Sequence, residues 1–191
     1  MLYNAGKIMT GKSMENTDPL PIPPEKLLKS LDDKEISYTL YNHAPVFTVA
    51  ESDKIELDMP GTHCRNLFLR DKKENMFLVV AANETQIDLK KLASLLDCGR
   101  LSFGSAVRLW KYLGIRQGSV NPFCIANDHE QKVNMILDQT MMNSNIVNYH
   151  PMDNAMTIGL APADLIRFIE DTKHIPEILD LSPAAPETNQ D

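Results

Sequence analysis

Apolar residues recur at helical spacing in four stretches of the chain and fall into alternation or short runs in several others. From Pro24 to Lys34, Leu27, Leu28 and Leu31 share one face and proline stands in the first turn, which predicts a helix. Ser37 to Asn42 alternates as a strand does. Asn66–Arg70 and Met76–Ala81 are apolar runs on either side of the polar Asp71–Asn75, the pattern of a hairpin. Asp88 is placed to cap a helix through Leu96, with Leu89, Leu92, Leu95 and Leu96 inward and Gly99 beyond its end. A further helix is predicted from Ser105 to Leu113, with Val107, Leu109, Trp110 and Leu113 as its buried face. Short strands follow at Phe123–Ala126, Val133–Leu137, Ile146–His150 and Ala155–Leu160. Pro162 then opens a last helix carrying Leu165, Ile166, Phe168 and Ile169. Strands and helices interleave without a strict β-α-β rhythm. The expected class is therefore α/β, a single domain with a mixed β-sheet flanked by helices, rather than a doubly wound fold.

The two ends read differently. Pro19, Pro21, Pro23 and Pro24 make residues 1–22 a flexible, proline-containing extension. Residues 182–191 have nothing to bury and read as a disordered tail. The domain is thus expected over residues 23–181, and a chain of 191 residues suits one domain with extensions. No apolar run approaches the roughly 18 residues that span a bilayer, and residues 1–16 lack the apolar stretch of a signal peptide. Three widely spaced cysteines, Cys64, Cys98 and Cys124, form no Cys-x-x-Cys pair, so a reducing cytoplasm is expected and a disulfide framework is not.

Charge changes the picture locally. The net charge is −7, which argues against a generic nucleic-acid binder. From Gly61 to Arg116, however, ten Lys/Arg stand against five Asp/Glu. An acidic protein with such a basic middle can still dock a polyanion there.

Several local patterns suggest chemistry. Gly6-Lys-Ile-Met-Thr-Gly11-Lys12-Ser13 fits the phosphate-loop pattern, but that loop needs a strand before it and a helix after it. The lead-in is five residues, and Met-Glu-Asn-Thr-Asp-Pro-Leu-Pro follows, so no nucleotide site is expected. His63 and Cys64 are adjacent, yet on an extended chain neighbours point to opposite faces and cannot pair. His63 and Arg65 then share one face, Cys64 and Asn66 the other. The cysteines read as small buried hydrophobes. No histidine pair has metal-ligand spacing, and no metal or cofactor is expected. His150 ends a candidate strand before a Pro turn, which suits a half-buried structural histidine and a functional one equally. Gly118-Ser-Val-Asn-Pro122 can offer backbone N–H groups to a ligand, or simply connect two elements.

Five segments occur in a particular order and spacing: His43-Ala-Pro-Val-Phe-Thr48, Gly61-Thr-His-Cys-Arg-Asn-Leu-Phe-Leu-Arg-Asp-Lys-Lys73, Arg100-Leu-Ser-Phe-Gly-Ser105, Gly118–Pro122 and Asn148-Tyr-His-Pro-Met-Asp-Asn154. On these, residues 36–181 resemble the YbaK/ProXp-ala group, which is related to the insertion editing domain of prolyl-tRNA synthetase. The chain is most similar to the free-standing ProXp-ala (PrdX-like) branch. The resemblance implies a YbaK-like, partly barrel-like sheet and a trans-editing hydrolase of alanyl-tRNA(Pro). It also implies alternatives: a cysteinyl-tRNA(Pro) or other small-amino-acid deacylase, or a non-catalytic tRNA- or synthetase-binding module. Carried over by position, it implies catalytic roles for Arg65 and His150. Substrate contacts are implied for Asn66, Gly104, Ser105, Gly118, Ser119, Val120, Asn121, Pro122 and Asn154. Arg65 stands where the group has lysine, and Lys and Arg are not interchangeable at a tight site. Arg70, Lys72 and Lys73 of the basic stretch are expected to dock the tRNA. The implied partners are the acceptor end of aminoacyl-tRNA(Pro) and prolyl-tRNA synthetase, with no membrane partner, the protein being a monomer or weak dimer.

Overall fold

The computed structural model describes residues 18–45 and 59–182. The phosphate-loop match at Gly6–Ser13, the part of the first motif from Val46 to Thr48, and residues 183–191 lie outside them.

Helix α1 (Pro24–Asp33) leads into β1 (Tyr38–Asn42), and β2 (Thr62–Arg70) and β3 (Met76–Ala82) form the hairpin. Then come α2 (Leu89–Leu95), the two-residue β4 (Ser102–Phe103), α3 (Ala106–Leu113) and a 3-10 helix over Pro122–Asn127. β5 (Val133–Asp138), the single turn α4 (Gln139–Met142), β6 (Val147–Tyr149), β7 (Met156–Leu160), α5 (Pro162–Asp171) and β8 (Glu177–Leu179) complete the chain. The strands join into one eight-stranded sheet in the order β1-β7-β6-β2-β3-β5-β8, with β4 attached to β2. β2–β6, β3–β5 and β5–β8 pair in parallel and the other pairs are antiparallel, so the sheet is mixed. Its end strands β1 and β8 do not pair with each other. Among the described strands the mixed sheet flanked by helices is as expected, and it is not closed into a barrel.

Alternation along each strand divides the apolar residues between two cores. On one face Phe68, Leu78, Val80 and Tyr149 pack with Leu27 and Leu31 of α1, Leu109 and Leu113 of α3, Phe123 and Phe168. On the other, Leu69, Phe77, Val79 and Ile136 pack with Leu92 of α2. The caps follow the sequence. Asp88 accepts from the backbone N–H groups of Lys90 and Lys91, and Ser105 accepts from that of Arg108.

Several local expectations change. Phe123–Ala126 lies in a 3-10 helix, not a strand: Pro122 supplies a preset φ at its first turn, and the Asn121 side chain accepts from Cys124 N–H. A short apolar run carries no periodicity that separates these two states. Val107 is 78% exposed although the pattern placed it inward. It lies two positions, about 200° of helix, from the buried Leu109, so the two cannot share a face. Leu95 likewise sits at the rim. The end of the proline-containing extension lies against the body: Leu20 and Ile22 pack on the main core, and Arg116 donates to the Asp18 carbonyl.

Candidate active site

β2 holds the site together. Its one edge is paired with β3 from Cys64 to Arg70. Its other edge is paired only at the ends: Thr62 and His63 with β6, Leu69 and Arg70 with β4. Among the described strands, nothing ladders with that edge in between. Cys64 and Phe68 face the main core, Leu67 and Leu69 the smaller one. By alternation Asn66 belongs to the main-core face, and His63 and Arg65 to the opposite one.

Thr62 pairs in parallel with Val147 and His63 with Asn148. Cys64 meets Tyr149 at the next level. His150 is the next residue, just beyond the end of β6. Val147 and Tyr149 face the main core, so Asn148 and His150 face the side that Arg65 occupies. The two residues with implied catalytic roles are thereby brought to one face, where β2 and β6 part.

Arg65 is held from below. Its Nη2 donates to the Thr85 carbonyl. The Thr85 hydroxyl donates to Asp138, a fully buried carboxylate that also accepts from the N–H groups of Ala82 at 3.3 Å and Thr140 at 3.2 Å. Arg65 Nε and Asn66 Oδ1 are buried without a hydrogen-bond partner among the described residues, and they lie on opposite faces of β2, so only Arg65 Nε is on the His150 side.

His150 is held from the side. Its Nδ1 lies 2.8 Å from the Met156 carbonyl and 3.3 Å from Thr157 Oγ1. His43 reaches the same hydroxyl with Nε2 at 2.9 Å, and the two imidazole rings pack edge to face with centroids 5.6 Å apart.

The Gly118–Pro122 loop is locked to the turn that follows His150, because Asn121 Nδ2 approaches Met152 Sδ at 3.4 Å. Gly118 has φ +85, the left-handed region glycine enters without strain. Asn121 is fully buried; its amide donates to the Ser119 carbonyl and its carbonyl caps the 3-10 helix. The Asn121 side chain therefore shapes the loop. Ser119 N–H is taken by the Arg116 carbonyl, and Pro122 has no N–H. Backbone donors from this loop would have to come from Gly118, Val120 or Asn121. Asn154 is half-buried in the turn between His150 and β7.

Gly104 and Ser105 stand at the other end of the open edge. Gly104 N–H donates to the Phe68 carbonyl, and a Cβ there would lie 2.4 Å from the Phe68 ring, so glycine allows a close approach. The Ser105 hydroxyl caps α3. Both residues thus have structural work that the motif alone did not reveal. Arg70, Lys72 and Lys73 lie at the hairpin end, with Arg70 about 17 Å along β2 from Arg65 at roughly 3.4 Å per residue.

Burial pushes the Cys64 thiol up to about 12, and Cys124 to about 12 for the same reason. Neither is a thiolate near neutrality, which fits their place as packed hydrophobes and not as nucleophiles. Well below pH 9 the thiols are neutral in both folded and unfolded chains. Above it the unfolded chain ionises first, so both thiols should lower stability progressively between about pH 9 and 12. Denaturant titrations at pH 8, 9.5 and 10.5 check this: a Cys64→Ala/Cys124→Ala double variant should show a shallower alkaline loss than wild type.

With this geometry in view, comparison with known proteins is decisive on family. Residues 43–168 match the aminoacyl-tRNA editing domain. The chain belongs to that family. The editing domain is 37% identical over 147 residues to the prolyl-tRNA editing protein ProX of Acetoanaerobium sticklandii, covering 76% of this chain and 90% of that protein. It is 36% identical to the prolyl-tRNA synthetase associated domain-containing protein 1 of Danio rerio, covering 81% and 84%. A solved structure described as a candidate trans-editing enzyme for prolyl tRNA synthetase superposes with a TM-score of 0.65 at 16% identity, over 85% of this chain and 98% of that one. At that identity the likeness speaks for the fold.

The editing domain also contains site features that sequence reasoning passed over. His43 was visible within the first motif but had no role assigned. Thr157, Thr85 and Asp138 gave no local signal, since each gains its place only through strand pairing. Among the described residues no group of three or more His, Cys, Asp or Glu is placed to hold a metal ion, and no helix is long and apolar enough to cross a membrane.

Proposed function

We propose that the protein is a trans-editing deacylase that hydrolyses the ester between a wrongly attached small amino acid, alanine foremost, and tRNA(Pro). The observation that carries the reading is the placing of Arg65 and His150 on one face of the sheet, beside the open edge of β2, with the turn after His150 joined to the Gly118–Pro122 loop. Family membership and the names of the relatives support it. A synthetase pocket built for proline cannot exclude a smaller side chain, because each missing methylene is worth only about 1–3 kcal/mol of discrimination. A second, smaller sieve supplies the rest.

The substrate is an activated ester, so catalysis needs orientation and charge stabilisation more than a strong nucleophile. Water adds to the ester carbonyl, and the 3′-terminal ribose oxygen leaves with the proton. A neighbouring ribose hydroxyl assists the water. In this reading backbone donors of the glycine loop orient the aminoacyl ester, Arg65 holds the terminal adenosine or phosphate end, and His150 positions the ester. Asn154 is a substrate contact, whereas Asn66 lies on the main-core face with Cys64, away from Arg65 and His150. The basic hairpin end docks the acceptor stem, and prolyl-tRNA synthetase is the partner that supplies the mischarged tRNA.

A deacylation panel with alanyl-, cysteinyl-, seryl- and prolyl-tRNA(Pro) tests the function. Release of alanine with the prolyl ester left intact is expected. Preferential release of cysteine would assign the chain to the other specificity, and tRNA binding without release of any amino acid would make it a binding module.

Docking is tested separately. Arg70 and Arg108 share Glu74, at 3.8 and 2.5 Å, which neutralises part of their charge. Charge reversal is therefore best placed at Lys72 and Lys73, and should raise KM with little change in the chemical step. Wild-type affinity should fall as salt rises, in proportion to the phosphates neutralised. Turnover insensitive to salt would remove this surface from the reading.

A further inference from the structure

The hydrogen bonds around His150 can be read for direction as well as distance. A carbonyl oxygen only accepts, so the 2.8 Å contact with the Met156 carbonyl requires a proton on His150 Nδ1. The same logic applies to His43, whose Nδ1 lies 2.9 Å from the Ala44 carbonyl and must donate to it. In neutral His43 the other nitrogen, Nε2, is then an acceptor. It lies 2.9 Å from Thr157 Oγ1, so the threonine hydroxyl donates its one proton there. That leaves only lone pairs on Thr157 Oγ1 to face His150 Nδ1 at 3.3 Å. Every proton in the chain has one direction, and neutral His150 is left with Nε2 as its acceptor nitrogen. This is the tautomer that free imidazole side chains disfavour in water. Thr157 is buried, so its hydroxyl is shielded from competing water.

We infer that His43 and Thr157 are positioning residues that fix the tautomer and ring orientation of His150 for the editing reaction. The inference rests on the proposed deacylase reading for its kinetic part only; the tautomer is a property of the free protein. Two backbone carbonyls set the ends of the chain, and the Thr157 hydroxyl couples the two rings. If that hydroxyl could turn, it would compete for His150 Nδ1, and His43 Nε2 is what keeps it turned away. The edge-to-face packing of His43 on His150 restrains the ring plane in addition.

The test separates hydrogen bonding from packing. Thr157→Val removes the hydroxyl at nearly constant shape, and Thr157→Ser keeps it. His43→Phe keeps an aromatic edge against His150 but cannot accept a hydrogen bond. Long-range 1H–15N spectra of the ligand-free protein should show His150 protonated at Nδ1 in wild type, in Thr157→Ser and in Thr157→Val, where the Met156 carbonyl still holds that proton, with a mixture of tautomers in His43→Phe, where the freed Thr157 hydroxyl can donate to Nδ1. In single-turnover deacylation of alanyl-tRNA(Pro), Thr157→Val and His43→Phe should lose about 10- to 100-fold in rate, the scale of a small misplacement of a reacting group, with KM little changed. Thr157→Ser should restore the rate. Melting curves confirm that all variants are folded. A wild-type His150 protonated at Nε2 overturns the inference, as does a His43→Phe protein with both tautomer and rate unchanged, or a Thr157→Val protein with an unchanged rate. If wild type deacylates no aminoacyl-tRNA, the function proposed above fails, and the spectra alone decide this inference.

Discussion

Alanine at position 65 should lower kcat/KM for deacylation of alanyl-tRNA(Pro) by about 2–4 kcal/mol, roughly 30- to 1,000-fold, the cost of removing a charge-assisted contact at a reacting end. The reason is placement. Arg65 shares a sheet face with His150, its Nη2 is held by the Thr85 carbonyl, and its buried Nε has no partner among the described residues. Arg65→Lys asks a second question, because lysine keeps the charge and loses the planar fork. Retained activity means that a cation suffices; a faster enzyme means that the compact ammonium is the better group and that this chain works below its capacity. Cys64→Ala is the internal control. Its thiol is pushed up to about 12 by burial and faces the other side of the sheet, so the change should leave the rate nearly untouched. Single-turnover kinetics of wild type and the three variants, with melting curves, decide the matter. An inactive Cys64→Ala beside an unaffected Arg65→Ala would overturn the arrangement.

His174→Ala should destabilise the fold by about 3 kcal/mol without touching the chemistry. His174 Nε2 meets Asp128 Oδ2 at 3.1 Å, with both side chains almost fully buried, and His174 Nδ1 meets the Thr172 hydroxyl at 2.9 Å. Asp128 otherwise receives the Val133 N–H at 2.7 Å on the same oxygen. Truncating the histidine leaves a buried carboxylate with one donor fewer, and breaking such a pair from one side is far costlier than losing an exposed one. The imidazole also ties the segment after α5 to the end of the 3-10 helix, so the loss falls on a tertiary joint. For a domain of this size a melting temperature lower by roughly 6–12 °C is expected. Well below the transition, the rate of deacylation should match wild type. A melting temperature within 2 °C, about half a kcal/mol on this scale, would show that water replaces the histidine at no cost.

The legibility of this fold varies with the kind of signal. The helix of Pro24–Asp33, the hairpin around Asp71–Asn75 and the caps Asp88 and Ser105 are local devices, written in periodicity, turn chemistry and side-chain oxygens, and the structure follows them. The 3-10 helix at Pro122–Asn127 was misread because a proline start and a buried asparagine cap outweighed four apolar residues that would suit a strand. Val107 was misplaced because composition was counted where angle around the helix decides.

The site divides in the same way. The motifs pointed to Arg65, His150 and the glycine loop, and strand alternation alone placed Arg65 and Asn66 on opposite faces. Which face carries His150 was not in the sequence. It follows from the parallel register of β2 with β6, a pairing across more than eighty residues of chain that no local pattern encodes. The same holds for the partners that orient the site. Thr157 reaches His43 and His150 only because β7 lies between β1 and β6, and Thr85 and Asp138 support Arg65 only because β3 pairs with β5. Sequence by itself determined the elements, their caps and the chemical groups available. The tertiary structure decided which groups meet and in which direction their protons point, because those depend on the order of strands in the sheet and not on spacing along the chain.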